Sequence, residues 1–152
     1  MGRAHVRAHG SFPPERFVAA LTDFGPGRSE VWGNVHPEQL TIHERGDTWA
    51  EVTEGSTTGD IWQRTRYDWS VPNVVTLDVV DSNAFGKGSR WTYRLDPDGH
   101  GGTDIDLTIV RVPTTAKGRF MDVVLSLGGQ LFFAHDLRKS VKRLESRSDA
   151  PS

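Results

Sequence analysis

Six side chains at every second position of two short stretches carry most of the chemistry that the chain can offer. Gln63, Thr65, Tyr67 and Trp69 form one set, and Trp91 and Tyr93 the other. A spacing of two puts each set on one face of a β-strand. Aromatic surface interrupted by an amide and a few hydroxyls is the usual composition of a small-molecule pocket. Each of these residues alone suits an ordinary core equally well. Together, however, Gln63, Tyr67 and Tyr93 bring several polar groups inward, and an unpaired buried one costs roughly 1–3 kcal/mol. As a set they favour a cavity wall. Arg111, which closes an inward-facing parity beside Pro113, and His135 read as rim residues able to meet a ligand's carboxylate or carbonyl.

Other chemistry fails on spacing. The 152 residues contain six histidines and no cysteine, so disulfides, thiolate nucleophiles and thiolate metal sites are excluded. His43-Glu44 lacks a second histidine four residues after the first. Asp96, Asp98 and Gly99 begin like a calcium loop, but Leu107 stands where the bidentate glutamate belongs. Gly86-Lys87-Gly88-Ser89 lacks the earlier glycine of a phosphate loop. Tyr67, Tyr93, Arg111 and His135 are the acid–base candidates, and a tyrosine with its ordinary pKa near 10 makes a poor base. The expectation is therefore no metal and no cofactor.

A formal net charge of −2 gives no electrostatic footprint for nucleic acid. Arg138, Lys139, Lys142 and Arg143 read as the solvated face of a helix near its negative end. No apolar stretch is long enough to span a bilayer, so stable membrane insertion is not expected. Met1 to Gly10 carry charges and histidines where a signal peptide has an apolar run, and the expected location is cytoplasmic. The oligomeric state is left open.

The elements that must position the pocket follow from periodicity. After a first short strand ending at Phe12, the Pro13-Pro14 pair and the spacing of Phe17, Val18, Leu21 and Phe24 predict a helix. A second short helix falls at Arg28 to Trp32. From Leu40 to Val112 the period is two, with turn signals at Gly46-Asp47, Pro72-Asn73 and Asp96 to Gly102. Trp62 breaks the alternation of its strand. Past Pro113, Phe120, Val124, Leu127, Leu131 and Ala134 recur at three and four, with Leu137, Val141 and Leu144 continuing the stripe. That predicts a helix of about 25 residues, roughly 37 Å long. The Gly128-Gly129 pair within it predicts close packing on the sheet or on a neighbouring helix, with room for ligand or a flexible gate as the alternative.

Strands in a run with helices at the ends define an α+β domain. The expected architecture is a curved antiparallel sheet of six to seven strands gripping a long C-terminal helix. One or two short helices follow the first strand. The domain takes residues 1–145 and a polar tail 146–152. One helix cannot fill the concave side of such a sheet, and the space left over is the cavity.

The opening SFPPERFVAALTDF, the segments RYDWSVPNVVTLDVVDSN and GSRWTYRLDPDGHGGTDIDLTIVRVP, and the final helix resemble, in order, the helix-grip superfamily. That superfamily (SRPBCC) includes START lipid-transfer domains, plant pathogenesis-related allergens and polyketide cyclase/dehydrase-like proteins. The resemblance implies a small hydrophobic ligand, lipid-like or polyketide-like, held between sheet and helix. It supplies no family-wide catalytic motif. The expected ligand-binding set is Gln63, Thr65, Tyr67, Trp69, Trp91 and Tyr93 from the sheet and Val124, Leu127 and Leu131 from the helix. The alternatives are a cyclase, dehydratase or aromatase working in the same cavity, and a surface interaction module using Trp62.

Overall fold

The computed structural model describes residues 2–33, 35–56 and 60–148. Seven strands form one antiparallel sheet: β1 (Gly2–Gly10), β2 (Val35–Arg45), β3 (Trp49–Ser56), β4 (Trp62–Asp68), β5 (Val74–Ser82), β6 (Arg90–Pro97) and β7 (Thr103–Arg111). Their order is β1-β7-β6-β5-β4-β3-β2. Strands β2 to β7 are a meander, and β1 pairs with β7, Gly2 opposite Arg111 and Gly10 opposite Thr103. The chain must therefore cross from one edge of the sheet to the other between β1 and β2. Two short helices, α1 (Pro14–Leu21) and α2 (Arg28–Val31), make that crossing. The long helix α3 (Ala116–Ser148) packs along β1.

Local chemistry explains the joints. Pro13 caps α1 in an extended conformation and Pro14 takes its first turn, where a missing N–H costs nothing. Thr22 ends the helix by donating its hydroxyl to the Val18 carbonyl at 2.7 Å. The β6–β7 hairpin turns on Gly99 and Gly101 at φ +84° and +83°, a region that side chains disfavour. Asp98 ties that turn by accepting the His100 and Gly102 amides.

The core lies on the concave face, under α1 and the second half of α3. Phe17, Ala50, Val52, Val75 and Ile109 are buried there with Leu137, Val141 and Leu144. Phe17 stands between three rings, 5.6 Å from Tyr93, 5.7 Å from Trp32 and 6.3 Å from Phe12. Burying one such side chain is worth about 1.5–3 kcal/mol. No helix among the described residues is long and apolar enough to cross a membrane.

The first half of α3 corrects the expected phase. Phe120, Val124, Leu127 and Leu131 face solvent, with Leu127 87% exposed and Leu131 79% exposed. The face turned inward carries Gly118, Met121, Leu125, Gly129 and Phe133 instead. Two stripes of helical period run side by side in this segment, and hydrophobicity alone does not choose between them. The anchor at the N-terminus does. Thr115 Oγ1 caps the helix by accepting the Gly118 amide at 3.0 Å and donates to the Asn83 carbonyl at 2.9 Å. Gly118 packs against the backbone of Ala84, where a Cβ would collide with the carbonyl. The close approach expected at Gly128-Gly129 is thus made at Gly118. Gly128 faces open space and Gly129 would meet only Leu125 of its own helix. From Ala134 onward the expected stripe holds, with Leu137, Val141 and Leu144 buried.

Candidate ligand cavity

Between the concave face and α3, from Met121 to Ser140, lies a cavity of about 200 Å³, partly open to solvent. Its floor is set by strand register. Tyr67 on β4 stands opposite Leu77 on β5, Leu77 opposite Trp91 on β6, and Trp91 opposite Ile109 on β7. One row of inward side chains therefore crosses the sheet. Tyr93, two residues from Trp91, shares its face between Val75 and Leu107. Five of the expected sheet residues, Gln63, Thr65, Tyr67, Trp91 and Tyr93, line the cavity together. Trp69 does not. It lies one residue past the end of β4, packed against the core outside the cavity wall.

The helix contributes other residues than those expected. Val124, Leu127 and Leu131 are turned to solvent, for the reason of phase given above, and Met121, Leu125, Phe132, Phe133, Asp136, Leu137 and Ser140 line the cavity. Phe133 meets Trp91 edge to face, with ring centroids 5.4 Å apart. His135 is exposed on the outer side of the helix and Trp62 stands exposed on the outer side of the sheet. Among the described residues no group of three or more metal-ligating side chains comes together.

On one flank the cavity ends in a buried polar cluster. Arg28 donates from Nε to Glu54 Oε2 at 2.9 Å and from Nη1 to the Leu21 and Asp23 carbonyls at 2.8 and 2.9 Å. Its Nη2 reaches Glu54 Oε1 at 3.4 Å and Tyr67 Oη at 3.0 Å. The Tyr67 hydroxyl in turn donates to Glu54 Oε1. The guanidinium also lies over the Phe24 ring, 4.7 Å from its centroid. Burial works against the charge of Arg28, but Tyr67 and Glu54 outweigh it and hold its pKa above the ordinary value. Burial and the Glu54 charge push the Tyr67 hydroxyl well up, so its proton stays in place.

The other polar groups reach the cavity from β7 and α3. Arg111 is buried, and its Nε donates to Asp122 Oδ1 at 3.0 Å. Asp136 faces the same space, and burial raises its pKa against the partial relief from Arg143, His135 and Lys139. Burial, followed by the Asp136 charge, likewise raises the Tyr93 hydroxyl.

Arg28, Glu54 and Asp136 were not among the expected residues. For Glu54 a signal exists, since it follows the buried Ala50 and Val52 at the inward parity of β3. Asp136 sits three residues after Phe133 and four before Ser140, a position visible once the inward phase of α3 is known. Arg28, opening a four-residue helix after Gly25-Pro26-Gly27, carries no pattern that announces burial.

A seven-stranded antiparallel sheet gripping a long C-terminal helix is the helix-grip fold, and solved structures of that fold are similar to this chain over nearly its full length. The Zhui aromatase/cyclase from Streptomyces sp. R1128 superposes with a TM-score of 0.79 at 15% identity, covering 97% of this chain and 96% of that one. A START superfamily protein from Mycobacterium smegmatis gives 0.71 at 12% identity, covering 97% of both. Norcoclaurine synthase from Thalictrum flavum, solved in complex with dopamine and hydroxybenzaldehyde, gives 0.60 at 12% identity, covering 92% of this chain and 86% of that one. No protein-family model and no curated protein sequence matches the chain.

Proposed function

We propose that the protein binds a small, largely apolar, ring-bearing molecule in the cavity between sheet and helix. The observation that carries this reading is convergence. Five residues picked out by alternation, from two strands, line one space of about 200 Å³ with the aromatic inner face of α3. The volume supports the polyketide-like side of the expectation over a long acyl chain. An engineered cavity of about 150 Å³ holds benzene, so this one suits one or two rings. The dopamine and hydroxybenzaldehyde of the Thalictrum enzyme are ring compounds of that size held by the same fold.

The test pairs two substitutions on opposite faces of one turn of α3. Leu125 lines the cavity and Leu127 points to solvent. An environment-sensitive apolar dye should bind one saturable site, and Leu125→Trp should weaken it at least tenfold, about 1.4 kcal/mol. Leu127→Trp should bind as the parent does. The reverse pattern would place the dye on the outer stripe of the helix and end the cavity reading.

A second reading, catalysis of a cyclase, dehydratase or aromatase type, is favoured by Asp136. A carboxyl whose pKa is raised by burial, facing an apolar cavity beside a tyrosine, has the environment of a general acid or base.

A further inference from the structure

Tyr93 and Asp136 stand on opposite walls of the cavity, and the course of the chain puts them at nearly one level. Arg138 donates to the Arg7 carbonyl and Glu145 accepts the Ser11 amide, so α3 runs in the direction of β1. Strand β1 is antiparallel to β7, and β7 to β6, so β6 runs the same way. Phe133 of α3 rests edge to face on Trp91 of β6. From that contact Tyr93 lies two residues on, about 7 Å along the strand, and Asp136 three residues on, about 4.5 Å along the helix. Both side chains line the cavity.

Their polar ends have no partner in the fold. Among the described residues only Arg16 Nε and Arg111 Nη1 are sealed from solvent without a hydrogen bond. The Tyr93 hydroxyl and the Asp136 carboxyl also bond to no described group, yet neither is sealed, so both can be reached. Tyr93 is 4% exposed, and the surface left to it is cavity wall. After burial, the Asp136 charge is the largest influence on the Tyr93 hydroxyl, which places the carboxyl at the same space. A hydroxyl and a carboxyl that sense each other without bonding leave a gap for a third group.

We propose that Tyr93 and Asp136 are the cavity's receptor for a ring hydroxyl, a phenol on a ligand of one or two rings. This rests on the cavity reading above and adds the ligand's polarity and orientation. The match is one of donors and acceptors. Tyr93 donates to the ligand oxygen while an Asp136 oxygen accepts the ligand proton. A ketone has no proton for Asp136, an ammonium has no acceptor for Tyr93, and a hydrocarbon has neither. One hydroxyl satisfies both groups.

The experiment titrates the full chain with tetralin, α-tetralone, 2-aminotetralin and 5,6,7,8-tetrahydro-2-naphthol, four two-ring probes of similar size. In the parent protein the naphthol should bind at least tenfold tighter than each of the others, because a site built for a hydroxyl rejects analogues lacking it. Tyr93→Phe removes the hydroxyl and keeps the ring, and Asp136→Leu removes the carboxyl at similar volume. Either change should cut the preference for the naphthol over tetralin at least fivefold, with tetralin bound no more weakly than by the parent. A measurement on the unaltered protein guards against a misfolded variant. The ¹³C resonances of Tyr93 Cζ and Asp136 Cγ should shift with the naphthol and stay put with tetralin. Naphthol bound no tighter than tetralin, a preference that survives either variant, or unmoved resonances would each sink the assignment and leave the cavity reading standing. Tightest binding by α-tetralone or 2-aminotetralin would overturn the hydroxyl. Failure of all four probes to bind would remove the cavity reading and this inference with it.

Discussion

Arg28 and Arg111 are both buried, both joined to a carboxylate and both set against an aromatic ring, yet the two flanks of the cavity they occupy are finished differently. At Arg28 every N–H meets an acceptor: two loop carbonyls, the Glu54 carboxylate and the Tyr67 hydroxyl. That arrangement ties the chain between α1 and α2 to β3 and β4, and its donors have no capacity left for a ligand. At Arg111 one nitrogen, Nη1, is buried without an acceptor among the described residues. A buried ion thus fastens the fold more or less firmly according to how many of its hydrogen bonds the fold itself supplies.

The sharpest way to break this comparison is to remove each guanidinium. Arg28→Met leaves Glu54 buried without its cation and two carbonyls without donors. Breaking a buried pair from one side costs about 3–5 kcal/mol. Urea unfolding should therefore show Arg28→Met losing stability in that range and more than Arg111→Met, which also breaks a buried pair from one side but gives up one hydrogen bond where Arg28 gives up five. Equal losses would mean that Arg111 is as much a fastening as Arg28, and the distinction between the flanks would fail.

How much of this was legible in the residues depends on what fixed each part. Strand alternation is local, because one face is buried and the period is two, so the inward parity of Gln63, Thr65, Tyr67, Trp91 and Tyr93 could be read directly. The end of β4 could not, and Trp69 fell outside the wall. The phase of α3 was legible only from Ala134 on, through Leu137, Val141 and Leu144. Before that, Phe120, Val124, Leu127 and Leu131 compete with Gly118, Met121, Leu125 and Gly129. The choice is made by contacts of Thr115 and Gly118 with the β5–β6 connection, distant in sequence. Charge pairing was the least legible. Arg90 stands opposite Val110 and binds Asp78 across β5–β6 at 2.6 and 2.9 Å, while Asp106, opposite Arg94 in the register, is taken by His5 and Arg7.

Asp136 sharpens the less fully bonded flank at a smaller scale. Its pKa is raised chiefly by burial, so the folded state holds the proton to a higher pH than the unfolded chain. Its contribution favours folding below the unfolded value and is lost as pH rises through the folded one. Asp136→Asn removes that dependence. The variant's melting temperature should exceed the parent's near pH 7, by less than the loss in Arg28→Met, and the gap should close toward acid pH. A variant less stable at pH 7 would show that the ionised carboxylate has a partner, and that flank would be more fully bonded than described.

The smallest effect belongs to an exposed pair that tests whether burial, more than pairing itself, separates the two flanks from ordinary surface charge. His9 Nε2 on β1 meets Asp98 Oδ2 in the β6–β7 turn at 2.7 Å, with the histidine side chain half exposed. The hydrogen bond that His9 donates to Asp98 raises the pKa of His9. The bond to His9, then the His100 and Gly102 amides, holds Asp98 at about 2. The signs run in opposite directions. The His9 contribution is full below its ordinary value of 6.5 and fades as pH rises through the raised one. The Asp98 contribution is full above its ordinary 3.8 and fades as pH falls toward about 2. Both are present together between roughly pH 4 and 6.5, and solvent screens them throughout. Asp98→Asn keeps an acceptor for the turn amides and deletes the charge. In an NMR titration the His9 imidazole should then return toward its ordinary pKa. The melting-temperature difference from the parent should be small, widest in that window and shrinking above it. A loss comparable to that of Arg28→Met would mean that pairing matters here as much as burial, and the contrast between Arg28 and Arg111 could no longer be put down to how a buried group is finished.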